Sequence, residues 1–286
     1  MSLSVVIITY NEEANLARTL KSVQPLVSDG RGEIIVVDSG STDRTVEIAK
    51  SFGAKVWVEE WKGYAAQKNS AIDKASGNWI LSLDADEEVD SELAEELIGC
   101  NSKGAIRKTN NYEWCLTLGS AARSEILKDK PNAFSLSRKN LFLRRWIKHG
   151  GFWPDPKVRI FARGLGRFEE RAVHETIQVS GRVAAINRGA LIHHSYPTLS
   201  DYIEHMNRYS SLGAEMVVAN GKVRFSFIDI VLRPLATFVY NYFFRLGFLD
   251  GREGLLLHLY HAVYVSWKYS KAWELSRKQP LSTMSS

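Results

Sequence analysis

The sequence lacks any long apolar run. Its 286 residues are 45% hydrophobic and 11% aromatic, which is ample for a folded core. No window, however, reaches the roughly 18 uninterrupted apolar residues that a membrane-spanning helix needs. The N-terminal segment, MSLSVVIITYNEE, has no positively charged start and only a short apolar stretch, unlike a signal peptide. We therefore predict a globular protein that stays in the cytosol.

Cysteine is scarce, and glycine-rich phosphate loops are absent. The two cysteines, Cys100 and Cys115, fit neither a metal-ligand spacing nor a disulfide framework, which predicts ordinary reduced thiols. No G-x-G-x-x-G follows the first apolar segment, and no G-x-x-x-x-G-K-[ST] occurs anywhere. These absences exclude the usual dinucleotide-binding fold and a P-loop. If the chain binds a nucleotide, something other than a glycine loop must hold its phosphates.

The first hundred residues alternate between short apolar runs and segments with helical spacing. Continuous apolar strands separated by helices predict an α/β fold, with a mostly parallel, Rossmann-like sheet and helices on both faces. The predicted strands span 4–9, 33–38, 54–60 and 78–84. The first predicted helix has Leu16, Leu20 and Val23 on one face, the second runs from a cap at Ser41, Thr42 or Asp43 to Phe52, and the third covers 64–75.

Polar and acidic side chains follow three of these strands. In parallel sheets, ligands bind beyond the carboxyl ends of the strands. The segments at those ends are Thr9-Tyr10-Asn11-Glu12, Asp38-Ser39-Gly40-Ser41 and Asp84-Ala85-Asp86. We therefore expect a ligand site there.

The segment LSLDADEEVD, residues 81–90, places five carboxylates in ten residues. An EF-hand loop is excluded, because Glu88 and Val89 stand where that loop needs an acid or amide and then a glycine. Asp90 is a predicted N-cap of the next helix, and Glu92 fits its first turn. We expect residues 87–90 to form mostly the turn and cap before that helix.

Asp84 and Asp86 need a different explanation. Two carboxylates one residue apart repel each other unless a cation joins them, and Mg²⁺ and Mn²⁺ bind carboxylates together with phosphates. A phosphatase with an aspartyl nucleophile also has D-x-D after a strand, although it normally has Thr or Val where this chain has Glu88. The spacing alone leaves a metal site, a phosphatase site and an acidic turn open.

The remainder of the chain is less regular. Residues 105–200 predict short strands and loops, and residues 199–219 predict a helix. Charged residues interrupt the apolar segment 223–275, which predicts amphipathic helices on a membrane surface. From Lys222 onward the chain has nine Lys and Arg against four Asp and Glu, so this region accounts for the whole net charge of +5. A basic, aromatic region suits an anionic membrane or nucleic acid, and a helical subdomain or a dimer contact is the alternative.

Three motifs in order, SVVIITYNEEANL, EIIVVDSGSTDRTVEIA and GYAAQKNSAIDKASGNWILSLDADEEV, resemble the family 2 glycosyltransferases. The segments HGGFWPDPKVRIF, RAVHETIQVSG, LIHHSY and PLATFVYNYFFRLGFLDGREGLL resemble the subgroup that includes bacterial lipopolysaccharide-core β-glucosyltransferases. The resemblance covers residues 3–275. It implies an A-type glycosyltransferase fold and an inverting, metal-dependent enzyme. We expect a catalytic domain over 1–221, with a nucleotide-binding half 1–104 and an acceptor half 105–221, and a membrane-associating region over 222–286.

The resemblance also implies roles for the residues at the strand ends. Thr9, Tyr10, Asn11 and Glu12 match the loop that contacts the nucleoside. Asp38, followed by Ser39, matches the acid that accepts a hydrogen bond from the pyrimidine N–H. Lys68 stands where a basic residue commonly lies near the nucleotide, often an arginine, and its alternative is a solvated helix lysine. Asp84 matches the residue that faces the ribose or a metal-bound water, Asp86 matches the metal ligand, and Ala85 lies between them in the nucleotide site.

The catalytic base is the next implied role. Glu175, in Val173-His174-Glu175, matches the base that takes the proton of the acceptor hydroxyl, and Asp155 is the second choice. His174 orients the base, ligates the metal or packs. His193 and His194 are adjacent, so on a strand they face opposite ways and at most one belongs to the site. The resemblance allows a later histidine as a third metal ligand, and we name His194 without assigning it that role.

Two further side chains have two interpretations each. Trp153 either stacks on a sugar ring or is buried beside a turn. Arg159 either meets a phosphate or forms a structural salt bridge.

Together these features predict a glycosyltransferase that moves a hexose from a nucleotide sugar, a UDP-sugar by preference, to a hydroxyl of a membrane-associated glycan or glycolipid. The expected cofactor is Mn²⁺ or Mg²⁺. The expected partners are the donor, the acceptor and a membrane surface contacted by 223–275 at the cytosolic face, with no nucleic acid. A Mg²⁺-dependent phosphatase or phosphotransferase and a non-catalytic glycan-binding membrane module are the alternatives.

Overall fold

The computed structural model describes residues 2–28, 30, 32–99, 131–169, 176–221 and 223–278. The chain forms two compact units, one made of 1–138 and 156–193 and the other of 139–155 and 194–286. The second unit contains the predicted region 222–286 together with earlier segments, so the compact units do not divide after residue 221. A functional division at that point stays a prediction.

The four predicted strands are confirmed, and they lie side by side in parallel in the order β3-β2-β1-β4. Their bounds are β1 Leu3–Thr9, β2 Gly32–Asp38, β3 Lys55–Val58 and β4 Trp79–Asp84. The register pairs Thr9 with Asp38 and Ile8 with Asp84. The carboxyl ends of β1, β2 and β4 therefore meet at one edge of the sheet.

Helices cover both faces of this sheet, as predicted. Successive side chains of a strand point to opposite faces, so Val5 and Ile7 pack against Leu20 on one face while Val6 packs with Ala71 on the other. Each fully buried Val, Leu or Ile contributes roughly 1.5–3 kcal/mol. The helices are α1 Leu16–Val27, α2 Thr45–Ser51, α3 Tyr64–Asp73 and α4 Ser91–Ile98. The predicted cap is confirmed, because Asp90 Oδ1 accepts from Leu93 N at 2.8 Å.

Beyond β4 the sheet continues in the order β8-β6-β11-β5, and β7 pairs with β6. The pairs of β8 with β4, β6 with β8, β7 with β6 and β5 with β11 are antiparallel. Their bounds are β5 Glu87–Val89, β6 Ala133–Phe142, β7 Arg145–Trp146, β8 Lys157–Ala162 and β11 Val183–Tyr196. A separate pair joins β9 Gly166–Glu169 to β10 Thr176–Val179. The described residues thus place nine strands in one sheet.

The prediction of short strands was wrong for β6 and β11, which have 10 and 14 residues. Gly189 sits within β11, and an isolated glycine in a strand indicates a bulge or a close backbone approach. Here it allows close backbone packing, because a Cβ at Gly189 would lie 2.1 Å from Leu93 N of α4.

The second unit is mainly helical. Helix α5, Leu199–Ala219, has the predicted bounds and begins with a capping box between Thr198 and Asp201. The later helical segments are a π-helical turn Ile228–Leu232, α6 Arg233–Val239, a second π-helical turn Tyr240–Phe244, a 3-10 turn Gly247–Asp250 and α7 Gly251–Lys278. The core of this unit contains Phe142, Ile147, Tyr202 and Leu257. Over the part of the chain that the structure describes, every helix is too short or too polar to cross a membrane.

Candidate functional site

Asp38 organises the loop where β1 and β2 end. Its carboxylate is buried and accepts four hydrogen bonds, from Thr9 Oγ1 at 2.8 Å, Gly40 N at 3.0 Å, Ser41 N at 2.8 Å and Ser41 Oγ at 2.5 Å. A carboxylate offers about four lone-pair sites. A pyrimidine N–H would therefore have to share or replace one of these partners. Its role toward a nucleoside stays a prediction.

The neighbouring predicted residues are fixed by the same loop. Asn11 adopts a left-handed backbone, with φ of 53°, and its Oδ1 accepts from Thr42 N at 2.9 Å. Tyr10 is 59% exposed and projects from this loop. The Ser39 hydroxyl is buried without a hydrogen-bond partner in the described residues. This edge thus presents an exposed aromatic ring and an unsatisfied hydroxyl near Asp38.

Glu12 lies close to the D-A-D segment. Burial raises the pKa of Glu12, a hydrogen bond from Asn15 opposes the increase, and the charges of Asp86 and Asp84 add to it. The first and fourth strands therefore bring three carboxylates to one place.

Lys68 is not a solvated helix lysine. Its side chain is 9% exposed, and Nζ lies 2.8 Å from Asp84 Oδ1 and 5.2 Å from the ring centre of Phe168. Helix α3 thus directs this cation onto the carboxyl end of β4.

Asp84 is neutralised by side chains of the chain itself. Besides Lys68, Arg159 binds it through Nη2 at 2.6 Å from Oδ2. Burial alone would raise the pKa of Asp84, but the charges of Arg159 and Lys68 outweigh burial and hold that pKa well below its usual range. The repulsion expected between Asp84 and Asp86 is therefore already offset without a metal. For Arg159, the structure shows the salt bridge.

Glu87 was not predicted as part of the site. It begins β5, is fully buried, and its Oε1 accepts from Arg159 Nη2 at 2.6 Å and from Arg138 Nη1 at 3.2 Å. Its Oε2 accepts from Asp84 N at 3.1 Å. The expectation that it forms part of the turn and cap was wrong, whereas it was right for Asp90. Because the two arginines lie 51 and 72 residues away along the chain, no local pattern indicates these bonds.

His193 contacts Asp86. His193 Nε2 lies 3.2 Å from Asp86 Oδ2, and β11 pairs His193 with Glu87. Burial tends to raise the pKa of Asp86, but the hydrogen bond and charge of His193 lower it overall. Strand alternation directs His194 to the opposite face. From the sequence, this alternation shows that at most one of the two histidines faces the site, but it does not show which one.

The described residues contain no group of three His, Cys, Asp or Glu arranged to hold a metal. Asp86 offers carboxylate oxygen and remains 26% exposed, His193 offers a nitrogen, and both oxygens of Asp84 are ion-paired. This set fits a divalent ion only if phosphates and water supply the other ligands, which is the usual coordination of Mg²⁺.

The predicted catalytic base is Glu175, with Asp155 as the second choice. Glu175 and His174 are outside the described residues. Asp155, the second choice, belongs to the other unit, where its Oδ2 accepts from Asn140 Nδ2 at 3.1 Å. In that unit the half-buried Trp153 packs edge-on against Trp146, with ring centres 5.1 Å apart.

The comparisons with known proteins agree with the resemblance. The family described as Glycosyl transferase family 2 matches residues 4–101. An uncharacterized glycosyltransferase of Rickettsia typhi is 30% identical over 96% of this chain and 88% of its own length. The lipopolysaccharide core biosynthesis glycosyltransferase LpsC of Rhizobium meliloti is 29% identical over 96% of this chain and 93% of its own.

Solved structures show weaker likenesses. A glucosyl-3-phosphoglycerate synthase from Mycobacterium tuberculosis, solved with Mn²⁺, UDP and phosphoglyceric acid, is 32% identical over 30% of this chain and 34% of that one, with a TM-score of 0.28. TarS 1–349 from S. aureus, solved with UDP, is 16% identical over 97% and 92%, with a TM-score of 0.43. Both scores are low, so the family assignment depends on the sequence relatives. On that basis, the chain belongs to glycosyltransferase family 2.

Proposed function

We propose that this glycosyltransferase moves a hexose from a UDP-sugar to a hydroxyl of a membrane-associated glycan or glycolipid, such as the core of lipopolysaccharide, with inversion. The observation that carries the proposal is the cluster at the carboxyl ends of β1, β2 and β4, where Lys68 and Arg159 surround the D-A-D segment. The relative LpsC, which is named for lipopolysaccharide core biosynthesis, supports the acceptor class.

The donor would lie along this edge. Tyr10, Asn11, Glu12, Asp38 and Ser39 would contact the nucleoside, and the two cations would face the diphosphate. Asp86 and His193 would hold Mn²⁺ or Mg²⁺, with Asp84 and Ala85 alongside. When bound, that ion supplies positive charge to the diphosphate as it departs.

The transfer step requires a base. The acceptor oxygen attacks the anomeric carbon from the face opposite the diphosphate, and the new C–O bond forms as the bond to the diphosphate oxygen breaks. Glu175 takes the proton of the acceptor hydroxyl, and the nucleoside diphosphate leaves with the bonding electron pair. This assignment depends on the family motif. Asp155 is the alternative base.

The second unit supports contact with a membrane. Fourteen large apolar side chains between residues 225 and 259 are 41–75% exposed, a set that we call the apolar surface. Its members are Phe225, Phe227, Ile228, Val231, Leu232, Leu235, Tyr240, Phe243, Phe244, Leu246, Phe248, Leu249, Leu255 and Leu259. Elsewhere in the described residues, large exposed apolar side chains are fewer and scattered along the chain.

The charges around the apolar surface favour an anionic bilayer. Arg224, Arg245 and Arg252 are exposed. The acids of the same stretch have partners within the chain, since Asp229 pairs with Arg233, Glu253 pairs with Arg145, and Asp250 accepts from the backbone N–H groups of Lys148 and His149. Exposed apolar side chains with exposed arginines in the same stretch are typical of helices that lie in the membrane interface. We therefore place 223–275 against the cytosolic leaflet, where a lipid-linked acceptor is accessible.

A thermal-shift screen of nucleotide sugars, each with and without Mn²⁺, tests the proposal. A bound ligand stabilises the fold in proportion to the logarithm of its concentration over its dissociation constant. We expect UDP-hexoses to raise the midpoint temperature of thermal unfolding, and to raise it more strongly with Mn²⁺. Phosphate release from simple monoesters without such stabilisation would instead support the phosphatase. Donor binding without hydrolysis or transfer would support a binding module.

A further inference from the structure

One nitrogen of Arg159 contacts two carboxylates. Its Nη2 lies 2.6 Å from Asp84 Oδ2 and 2.6 Å from Glu87 Oε1. The guanidinium is buried, and its Nε has no hydrogen-bond partner in the described residues. A guanidinium usually binds a carboxylate through two parallel N–H bonds. Nη2 carries two N–H groups, and Asp84 and Glu87 each accept from this one nitrogen, so Arg159 is shared and the paired contact is formed with neither carboxylate.

Of the two carboxylates, Glu87 is fixed. It is fully buried, sits in β5 opposite His193, and accepts from Asp84 N at 3.1 Å. Arg138 binds the same oxygen that Arg159 uses, at 3.2 Å. Asp84, in contrast, is 30% exposed at the end of its strand. Its carboxylate is therefore the one that a ligand can reach.

We infer that Glu87 is a positioning residue, which holds Arg159 back from a full two-bond contact with Asp84 and so keeps the Asp84 carboxylate available to the donor. This inference rests on the proposed function, because it assigns a donor to Asp84. Glu87 itself contacts only the protein.

Two substitutions next to Arg159 should have opposite effects. In Glu87→Gln, Arg159 loses one anionic partner and pairs fully with Asp84. UDP affinity with Mn²⁺ should then fall roughly tenfold, the factor that one charge-assisted hydrogen bond supplies. In Arg138→Met, Glu87 loses its other arginine and binds Arg159 more strongly, so UDP affinity should stay equal or increase. A general loss of structure would weaken UDP binding in both variants.

Urea unfolding tests the sharing of Arg159 without any donor. Asp84→Asn and Glu87→Gln each leave the buried guanidinium one carboxylate, and the double variant leaves none. The loss of stability in the double variant should therefore exceed the sum of the single losses. Adding Arg159→Met to the double variant should restore stability, because it removes the unpaired buried charge. Additive losses, or no recovery with Arg159→Met, would overturn the sharing.

The two measurements separate this inference from the proposed function. If the wild-type protein does not bind UDP with Mn²⁺, the proposed function and the donor role of Glu87 both fail, and the unfolding series still decides whether Arg159 is shared. If the wild type binds and Glu87→Gln binds equally well, only the positioning role is wrong.

Discussion

The two units depart from ordinary burial in opposite ways. In the first unit, charged side chains that usually lie at the surface are buried: Glu87 and Arg159 are 0% and 6% exposed. In the second, apolar side chains that usually lie in a core are exposed, and Phe244 reaches 75%. The buried charges are offset by partners within the chain, whereas the described residues leave the apolar surface uncovered. The first arrangement therefore suits a precise polar ligand, and the second suits a broad apolar one.

Removing the carboxylate of Asp86 should have the largest effect on the first unit. Asp86 has His193 beside it and no described cation of the kind that holds Asp84. Asp86→Ala should weaken metal-dependent UDP binding by at least ~100-fold, measured by calorimetry with and without Mn²⁺. Asp73→Ala, which breaks a surface ion pair with Arg167, is the matched control. Equal affinity with and without Mn²⁺ in the wild type would contradict the metal assignment.

Glu175→Gln should separate binding from chemistry. The amide cannot accept the acceptor's proton, so transfer should fall by about 100-fold or more while UDP binding persists. Glu95→Gln, at an exposed acid paired with Arg188, controls for the substitution itself. Near-normal transfer by Glu175→Gln would move the base to Asp155, and Asp155→Asn should then lose activity.

The apolar surface should respond to a single polar substitution. Phe244→Ser removes its most exposed aromatic ring, and burying such a ring is worth roughly 1.5–3 kcal/mol. Binding to vesicles that contain phosphatidylglycerol should fall by about tenfold or more in sedimentation assays. Met216→Ser, at a 44% exposed residue of α5, should leave binding unchanged.

Sedimentation equilibrium tests whether a second copy of the chain, and not a membrane, covers the apolar surface. If Phe244→Ser converts a dimer into a monomer and vesicle binding is absent from the wild type, the apolar surface is an interface between copies of the chain. The exposed apolar side chains of the second unit would then serve the assembly of copies of the chain, and not contact with the membrane that carries the acceptor.

The sequence predicted those features of the first unit that depend on neighbouring residues. Four continuous apolar runs predicted the parallel strands, and Asp90 predicted the start of α4. Long-range pairing was not predictable in this way. Arg159 and Asp84 are 75 residues apart, and nothing in either local pattern selects the other.

The directions in which side chains point were predictable only in part. Strand alternation shows that His193 and His194 face opposite ways, but the pairing of β11 with β5 decides which of them meets Asp86. In the second unit, the interrupted apolar pattern predicted amphipathic helices. It did not predict which residues stay exposed, because that depends on how α6 and the neighbouring turns pack against α7.

The smallest expected effect is a change in stability with pH that depends on His258. This buried ring has no hydrogen-bond partner in the described residues, unlike the paired buried charges of the first unit. Its ring is packed against Gly150 and Gly247, where a Cβ would lie 2.0 and 2.3 Å from ring atoms, and neither ring nitrogen has a hydrogen-bond partner in the described residues. The pKa of His258 is lowered to about 4, chiefly by burial; the charges of His261 and Arg245 contribute to this decrease, and Asp250 opposes it.

Because the folded pKa of His258 lies below the unfolded value, the neutral ring stabilises the fold above pH 6.5, and this contribution is lost as the pH falls toward 4. The free energy of unfolding should decrease by about 1 kcal/mol per pH unit across that window. His258→Leu should flatten this slope in urea titrations between pH 6.5 and 4, since leucine has no proton to gain. An equal slope in both proteins would assign the acid sensitivity to other groups, and the second unit would then lack an unpaired buried group that responds to pH.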